Sequence, residues 1–368
     1  KEAAAQALLK YYRNRTGVVN PAIDLNNITI NKREQQWAEE ALEHTFYVHD
    51  GYQPAFNYGK DINWKYWPVK DNELRWQLHR HKWFTPMGKA CRISGDEKYA
   101  KEWAFQYLDW IKKNPLTQVK KEEFELVSAG EIRDNADNVR IAWRPLEVSN
   151  RLQDQTGQFL LFCASKAFTP EFLTEFLVNY HRHGEFILSN YLDEGNHLLF
   201  EAQRMVYAGV FFPEFKDAAT WRESGINILN REIKKQVYND GGQYELDPHY
   251  HLAAINIFCK ALRMADCNGF RNEFPAEYLD TIKSMIEFYT NICFPDYTNP
   301  CFSDAKLGDY KAEIANYRDW LALFPDSEWI RYYATEGREG TLFVSWSVDF
   351  RFLHFQKRLE KRCGRNGS

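Results

Sequence analysis

Aromatic, imidazole and carboxylate side chains are concentrated in residues 242–251, which read GQYELDPHYH. Tyrosine, histidine and acidic side chains can all move protons, so this segment is a candidate for acid–base chemistry. Its Asp-Pro pair is typical of a helix cap followed by a first turn, which would place His249, Tyr250 and His251 at the start of a helix. Consecutive helical residues point about 100° apart, so these three side chains cannot all face one ligand. Tyr250 is then either a proton-transfer residue or an ordinary half-buried tyrosine.

A second polar segment, at residues 193–196, leads directly into an apolar stretch with helical periodicity. Asn196 stands where this helix should begin, either as its cap or as the first residue after the cap. A helix start concentrates N–H groups and the positive end of the helix dipole, so an anion is stabilised there. An amide side chain adds a donor without adding charge. Asn196 therefore suits an anion site, although the segment alone favours a capping role.

Residues 140–144 combine two arginines with a tryptophan. Arg140 and Arg144 could bind sulfate or carboxylate groups through bidentate contacts, while Trp143 stacks on a sugar ring. An internal ion pair between Arg144 and Glu147 explains the same pattern equally well. Glu201 lies on the helix predicted after Asn196, and we expect it to form hydrogen bonds in the wall of a cleft.

Other kinds of site are not indicated. Lys and Arg are spread along a chain of net charge −4, and the sequence contains no phosphate-binding loop and no GxSxG motif. Nucleic-acid binding and these two kinds of catalytic site are therefore not supported. No run of about 18 apolar residues occurs, so no membrane span is predicted. No metal site is predicted from the histidine pairs, which lack i, i+4 spacing and the HExxH motif: His79 and His81, His181 and His183, His249 and His251.

Apolar residues recur with helical periodicity over nearly the whole chain. One helix should run from just after Gly95 to Asn114, and another should begin at Thr169 with a proline in its first turn. Further helices are predicted at about residues 197–212, 217–237, 249–267, 276–293 and 310–323. Short connections make successive helices antiparallel neighbours. We therefore expect an all-α fold of ten or more helices, arranged as hairpins around one cleft, with strand alternation only near residues 341–355.

The order of several motifs resembles the heparinase II/III-like polysaccharide lyases, in particular the branch that acts on heparan sulfate. Asn196-His197 at a helix start, followed further along the chain by Tyr250-His251, matches that family's pattern. The other agreeing stretches are WQLHR at 76–80, SGDEKYA at 94–100 with Trp103, and WRPLEV at 143–148. Together they cover about residues 5–340.

This resemblance implies an incomplete (α/α) toroid followed by an antiparallel β-sandwich domain. It also implies cleavage of heparan sulfate by β-elimination at glucuronate, which leaves a 4,5-unsaturated uronate. By the same resemblance, Asn196 neutralises the uronate carboxylate, and Tyr250 acts at C5 and at the leaving oxygen. His251 is implied as a supporting catalytic residue. The remaining residues assigned here to substrate binding are Arg140, Trp143, Arg144, His197, Glu201 and Gln243.

Elementary chemistry agrees with these roles. The C5 proton is too weakly acidic to remove while the adjacent carboxylate keeps its full charge, and an amide donor stabilises the enolate-like charge that develops. A tyrosine has a pKa near 10, so a tyrosinate base needs positive charge nearby. The sources considered are Arg140, Arg144 and a protonated His251.

The chain departs from the family after about residue 340. We expect a toroid lyase domain at residues 1–340 and an atypical tail at 341–368, with the family's β-sandwich missing or truncated and activity correspondingly weak or absent. No cofactor is expected to be required, calcium is left open, and the expected protein is a periplasmic or secreted monomer. Two alternatives remain, namely an α/α-barrel glycoside hydrolase acting on uronides and a toroid that binds glycosaminoglycans without catalysis.

Overall fold

A computed structural model describes residues 2–118, 120–125, 132 and 134–342, and all structural statements concern these residues. The predicted tail and the predicted strands near 341–355 lie outside them from residue 343 onward. In the described part, no helix combines the length and hydrophobicity needed to cross a membrane.

The described residues form fourteen α-helices, which confirms the all-α prediction. They are α1 (Glu2–Asn14), α2 (Lys32–Leu42), α3 (Asn72–Leu78), α4 (Phe84–Ser94), α5 (Lys98–Lys113), α6 (Asn135–Ala142), α7 (Pro145–Phe162), α8 (Pro170–Asn190), α9 (Gly195–Phe211), α10 (Ala218–Gln236), α11 (Pro248–Asp266), α12 (Ala276–Ile292), α13 (Tyr310–Leu323) and α14 (Glu328–Ala334). Two short 3-10 helices occur at Lys121–Glu125 and Arg271–Glu273. The strands β1 (Thr45–Phe46) and β2 (Phe56–Asn57) pair antiparallel, and their two-residue length is too short to produce an alternation in the sequence.

Helix boundaries follow the local signals in the sequence. Gly95 ends α4 in the left-handed conformation, with φ +71°, where a side chain would be strained. The side chain of Thr169 accepts a hydrogen bond of 3.2 Å from the N–H of Phe172 and so caps α8, whose first residue is Pro170. The start at Thr169 confirms the sequence-based prediction, whereas the helix expected just after Gly95 begins at Lys98.

The chain divides into two compact units. The first comprises Lys1–Leu229 with Met264–Glu273, and the second comprises Asn230–Arg263 with Phe274–Ser368. In the first unit, α2, α4, α7 and α9 pack side by side in that order, and α5, α8 and α1 form a second layer against them. In the second unit, α13 packs against α14.

Aromatic side chains fill much of the core of the first unit. The rings of Trp103 and Phe162 are stacked with centroids 4.2 Å apart, and Phe172 meets Trp103 edge-on at 4.9 Å. Among the described residues, the tryptophans with less than 2% exposure are Trp83, Trp103, Trp110, Trp143 and Trp221 in the first unit and Trp320 in the second. Much of the chain's 16% aromatic content therefore serves packing.

Candidate active site

Asn196 is the second residue of α9. The residue that caps this helix is Glu194, whose side chain makes no capping hydrogen bond, and Gly195 follows with φ +81°. Asn196 is half-buried. Its expected position at the cap or directly after it is wrong by one residue, because the glycine takes the turn into the helix. The amide stays at the positive end of α9, where an anion is stabilised.

Glu201 holds the chain segment that enters α9. Its Oε2 accepts a hydrogen bond of 2.9 Å from the N–H of Leu192, four residues before Asn196. The side chain is 0% exposed, and burial raises the pKa of this carboxyl to about 8. Glu201 was expected in a cleft wall, but a fully buried carboxyl can position the Asn196 segment without touching substrate.

Arg144 is engaged within the protein. Its guanidinium lies 4.0 Å above the ring of Trp76, and its Nη1 is 3.6 Å from Glu147 Oε2. Arg80 Nη2 donates to the other oxygen of Glu147 at 2.8 Å, and Glu147 is 0% exposed. The internal ion pair left open by the sequence is therefore present. Trp76 and Arg80 belong to this cluster, and the WQLHR stretch was the signal that could have indicated them.

Arg140 and Trp143 do not form a clamp with Arg144. Arg140 lies 3.6 Å from Glu123 and 3.5 Å from Asp137, with its side chain 24% exposed. Trp143 is 1% exposed and donates its indole N–H to the carbonyl of Asn114 at 2.8 Å. A ring in that environment cannot stack on a sugar, so the stacking role predicted for Trp143 is wrong.

Tyr250 lies in the first turn of α11 with 36% of its surface exposed. Asp247 caps this helix as predicted, because its Oδ1 accepts from the N–H groups of His249 and Tyr250 at 2.7 and 3.0 Å. Its Oδ2 accepts at 3.0 Å from the N–H of Asp304. The buried Asp247 carboxylate thus ties a distant loop to the turn that carries Tyr250, a contact that sequence analysis did not indicate.

His251 faces inward, which agrees with the prediction that His249, Tyr250 and His251 cannot all face one ligand. It is 2% exposed, its Nδ1 accepts from the N–H of Gln243 at 3.1 Å, and its Nε2 lies 2.9 Å from the carbonyl of Met285. Burial lowers the pKa of His251, and both ring nitrogens are used by the main chain. This pattern requires a neutral ring with its proton on Nε2, so a protonated His251, one of the three sources of positive charge considered, does not fit the structure.

Gln243 is likewise built into the protein. It is 1% exposed, and its side-chain oxygen accepts from the N–H of Glu245 at 3.0 Å. Its expected direct contact with substrate does not fit this burial. His197 is half-buried on the first turn of α9. At the two helix starts, Asn196 and His197 are therefore half-buried, whereas His249 and Tyr250 are exposed.

A family model described as "Heparinase II/III N-terminus" matches residues 1–332. The chain belongs to this family. A heparin-sulfate lyase of Bacteroides stercoris is 69% identical over 339 residues, which are 92% of this chain and 51% of that protein. The chain thus spans about half the length of the curated relatives it matches.

Solved structures agree in fold. A heparinase III with methylated lysines is 71% identical and superimposes with a TM-score of 0.85, covering 95% of this chain and 54% of that one. A heparan sulfate lyase from Pedobacter heparinus is 45% identical with a TM-score of 0.79, over 94% of this chain and 52% of that one. The all-α fold of this chain is therefore that of the helical part of heparinase III. No β-sandwich occurs between residues 2 and 342 in the segments that the structure describes.

Proposed function

We propose that this chain is the helical part of a polysaccharide lyase that cleaves heparan sulfate by β-elimination at glucuronate. The observation that carries the proposal is the family membership over residues 1–332, which includes Asn196 and the exposed Tyr250, each at a helix start. The names of the relatives, heparin-sulfate lyase and heparan sulfate lyase, support the substrate.

Asn196 is proposed to bind the uronate carboxylate. Its amide N–H group and the positive end of α9 withdraw charge from that carboxylate, which lowers the cost of removing the C5 proton. Removing one such donor typically costs about 100- to 1,000-fold in rate. Glu201 supports this step by fixing the main chain at Leu192.

Tyr250 is proposed to remove the C5 proton and to return a proton to the leaving oxygen. In glucuronate the C5 proton and the C4 oxygen lie on the same face, so one phenol can serve both steps. The C5–H bond breaks to form the C4–C5 double bond, and the C4–O bond breaks as its oxygen takes the proton. Since the main chain uses both ring nitrogens of His251, the positive end of α11 is proposed as a source of positive potential at Tyr250, partly offset by the Asp247 carboxylate that caps this helix.

Further parts of the proposal rest on the family resemblance and on the chemistry of the side chains. The protein is proposed to be a periplasmic or secreted monomer that requires no cofactor, with calcium binding left to experiment. Arg140 and His197 are proposed to contact the acidic polysaccharide at its carboxylate or sulfate groups.

The reaction type can be tested by incubating heparan sulfate with the protein in water labelled with a heavy oxygen isotope. The chain is assayed by itself and joined to the C-terminal half of the Bacteroides stercoris relative. Elimination gives ultraviolet absorbance from the conjugated uronate and no label in the product. Label without absorbance would indicate hydrolysis, and salt-sensitive binding without any product from either protein would indicate a binding module.

A further inference from the structure

We infer that His181, Glu185 and Asp217 form a binding site for one divalent transition-metal ion of the zinc class. The three side chains offer an imidazole nitrogen and two carboxylate oxygens, and these ligand atoms all lie within 4.8 Å of one another. His181 Nε2 is 2.8 Å from Asp217 Oδ2. All three residues belong to the first unit and lie outside the segments assigned to the lyase reaction.

Two helices hold these ligands. His181 and Glu185 are one turn apart on α8, so both side chains project from the same face. Asp217 directly precedes α10, where its carbonyl accepts from the N–H of Trp221 at 2.9 Å. Gly184 on α8 lies so close to α10 that a Cβ there would approach the Trp221 ring to 2.6 Å. This close packing brings the Asp217 carboxylate within reach of the two ligands on α8.

The surroundings orient the ligands and leave the site accessible. The buried indole of Trp221 donates its N–H to Glu185 Oε1 at 2.8 Å, the kind of outer contact that orients a metal-bound carboxylate. Phe215 and Trp221 lie beside the His181 ring, with centroids 5.5 and 5.4 Å away. The side chains of His181 and Asp217 are 38% and 45% exposed, so water can reach the site and complete the coordination.

The donor set selects the class of ion. Zinc binds imidazole nitrogen and carboxylate oxygen in three-ligand sites with water in the fourth position. Calcium needs six to eight oxygen ligands, which two carboxylates do not provide. An ordinary ion pair would account for His181 and Asp217, but not for a third ligand, Glu185, that has its own orienting donor.

The test is a zinc titration of the metal-depleted chain by calorimetry. Thiols are first blocked by alkylation, because Cys267 and Cys301 are exposed and would also bind zinc. We expect one zinc ion per chain and a rise in Tm on binding. The variants His181→Ala, Glu185→Gln and Asp217→Asn should each weaken zinc binding by more than about tenfold.

Two controls keep the result interpretable. Glu185→Gln retains an oxygen that accepts from Trp221, so it should fold, and its loss of zinc binding cannot be attributed to unfolding. His44→Ala removes a histidine whose Nε2 lies 3.0 Å from Glu102, a comparable pair outside the proposed site, and should bind zinc like the unmodified chain. The inference is overturned if the alkylated chain shows no saturable zinc uptake, or if the three ligand variants bind as tightly as the His44→Ala control.

Discussion

At the residue scale, burial decides which residues of a suitable chemical type can contact a substrate. Trp143, Gln243 and His251 have the residue types that a polysaccharide site would use, yet each is at most 2% exposed and bonded to the main chain. Tyr250 has 36% exposure on the same helix turn as His251. Helical geometry predicted that these two neighbours would point in different directions, but a sequence does not state which of them faces inward.

Glu201 gives a pH-dependent prediction. Because burial raises its pKa in the folded protein to about 8 from an ordinary value of 4.5, the folded state holds a proton that the unfolded state releases. The folded protein therefore loses stability as pH rises from about 4.5 to about 8. Glu201→Gln removes this loss and still accepts from Leu192, so its free energy of unfolding should rise relative to wild type by up to about 5 kcal/mol across that range.

Urea unfolding at several pH values measures this difference. Glu194→Gln is the matched control, since it removes an exposed acid from the same segment and should keep the wild-type trend. Parallel pH profiles for wild type and Glu201→Gln would show that Glu201 titrates normally.

At the element scale, the positions of the helices could be predicted from the sequence, but the contacts between distant segments could not. The predicted stretches at 276–293 and 310–323 correspond to Ala276–Ile292 and Tyr310–Leu323, because apolar periodicity and flanking breaks are local signals. The hydrogen bond from Asp304 to Asp247 joins positions far apart in sequence. Asp217 is likewise separated in sequence from His181 and Glu185, the two proposed metal ligands on α8. Of these three residues, only the i, i+4 pair on α8 can be recognised from the local sequence.

The cap of α11 is predicted to be stronger than an ordinary cap. Asp247→Ala leaves three main-chain N–H groups without their acceptor, so it should lower the free energy of unfolding by about 3 kcal/mol. Hydrogen exchange should also accelerate at Tyr250 and Asp304. Asp309→Ala is the control, because this exposed cap of α13 accepts from one N–H, that of Ala312, and should cost about 1 kcal/mol. Equal losses for the two variants would contradict the bridging role of Asp247.

At the scale of the whole molecule, three buried histidines make the stability of the fold depend on pH. Burial lowers the pKa of His79 to about 3 and lowers those of His81 and His183 well below their ordinary values. In the folded state these rings stay neutral, and Arg151 donates to His183 at 2.8 Å. In the unfolded chain these histidines take up protons below about pH 6.5. The contribution of the neutral, buried rings to stability is therefore present above that pH and is lost as the pH falls.

The prediction is a fall in unfolding free energy below about pH 6.5, with each histidine contributing about 1.4 kcal/mol per pH unit and Glu201 opposing part of it. His183→Gln should reduce the slope of unfolding free energy against pH by the contribution of one histidine. An unchanged slope in His183→Gln relative to wild type would contradict this account.

Membership of the heparinase II/III family could be predicted from the order of short motifs in the sequence. Asn196-His197 and Tyr250-His251 match the family's pattern, and both pairs lie in a chain with helical periodicity. What the relatives carry beyond the matched half is not encoded in those motifs. The lyase activity consequently stays a proposal that rests on Asn196 and Tyr250.

The most direct measurement compares Tyr250→Phe with Tyr244→Phe in the heparan sulfate absorbance assay. Both variants remove one hydroxyl from an exposed tyrosine of the same segment, with exposures of 36% and 41%. The protein is the chain joined to the C-terminal half of its Bacteroides stercoris relative. We predict that Tyr250→Phe loses at least about 100-fold in kcat, the scale of a lost acid–base group, while Tyr244→Phe stays close to wild type. Wild-type turnover by Tyr250→Phe would contradict the assignment of the proton-transfer residue.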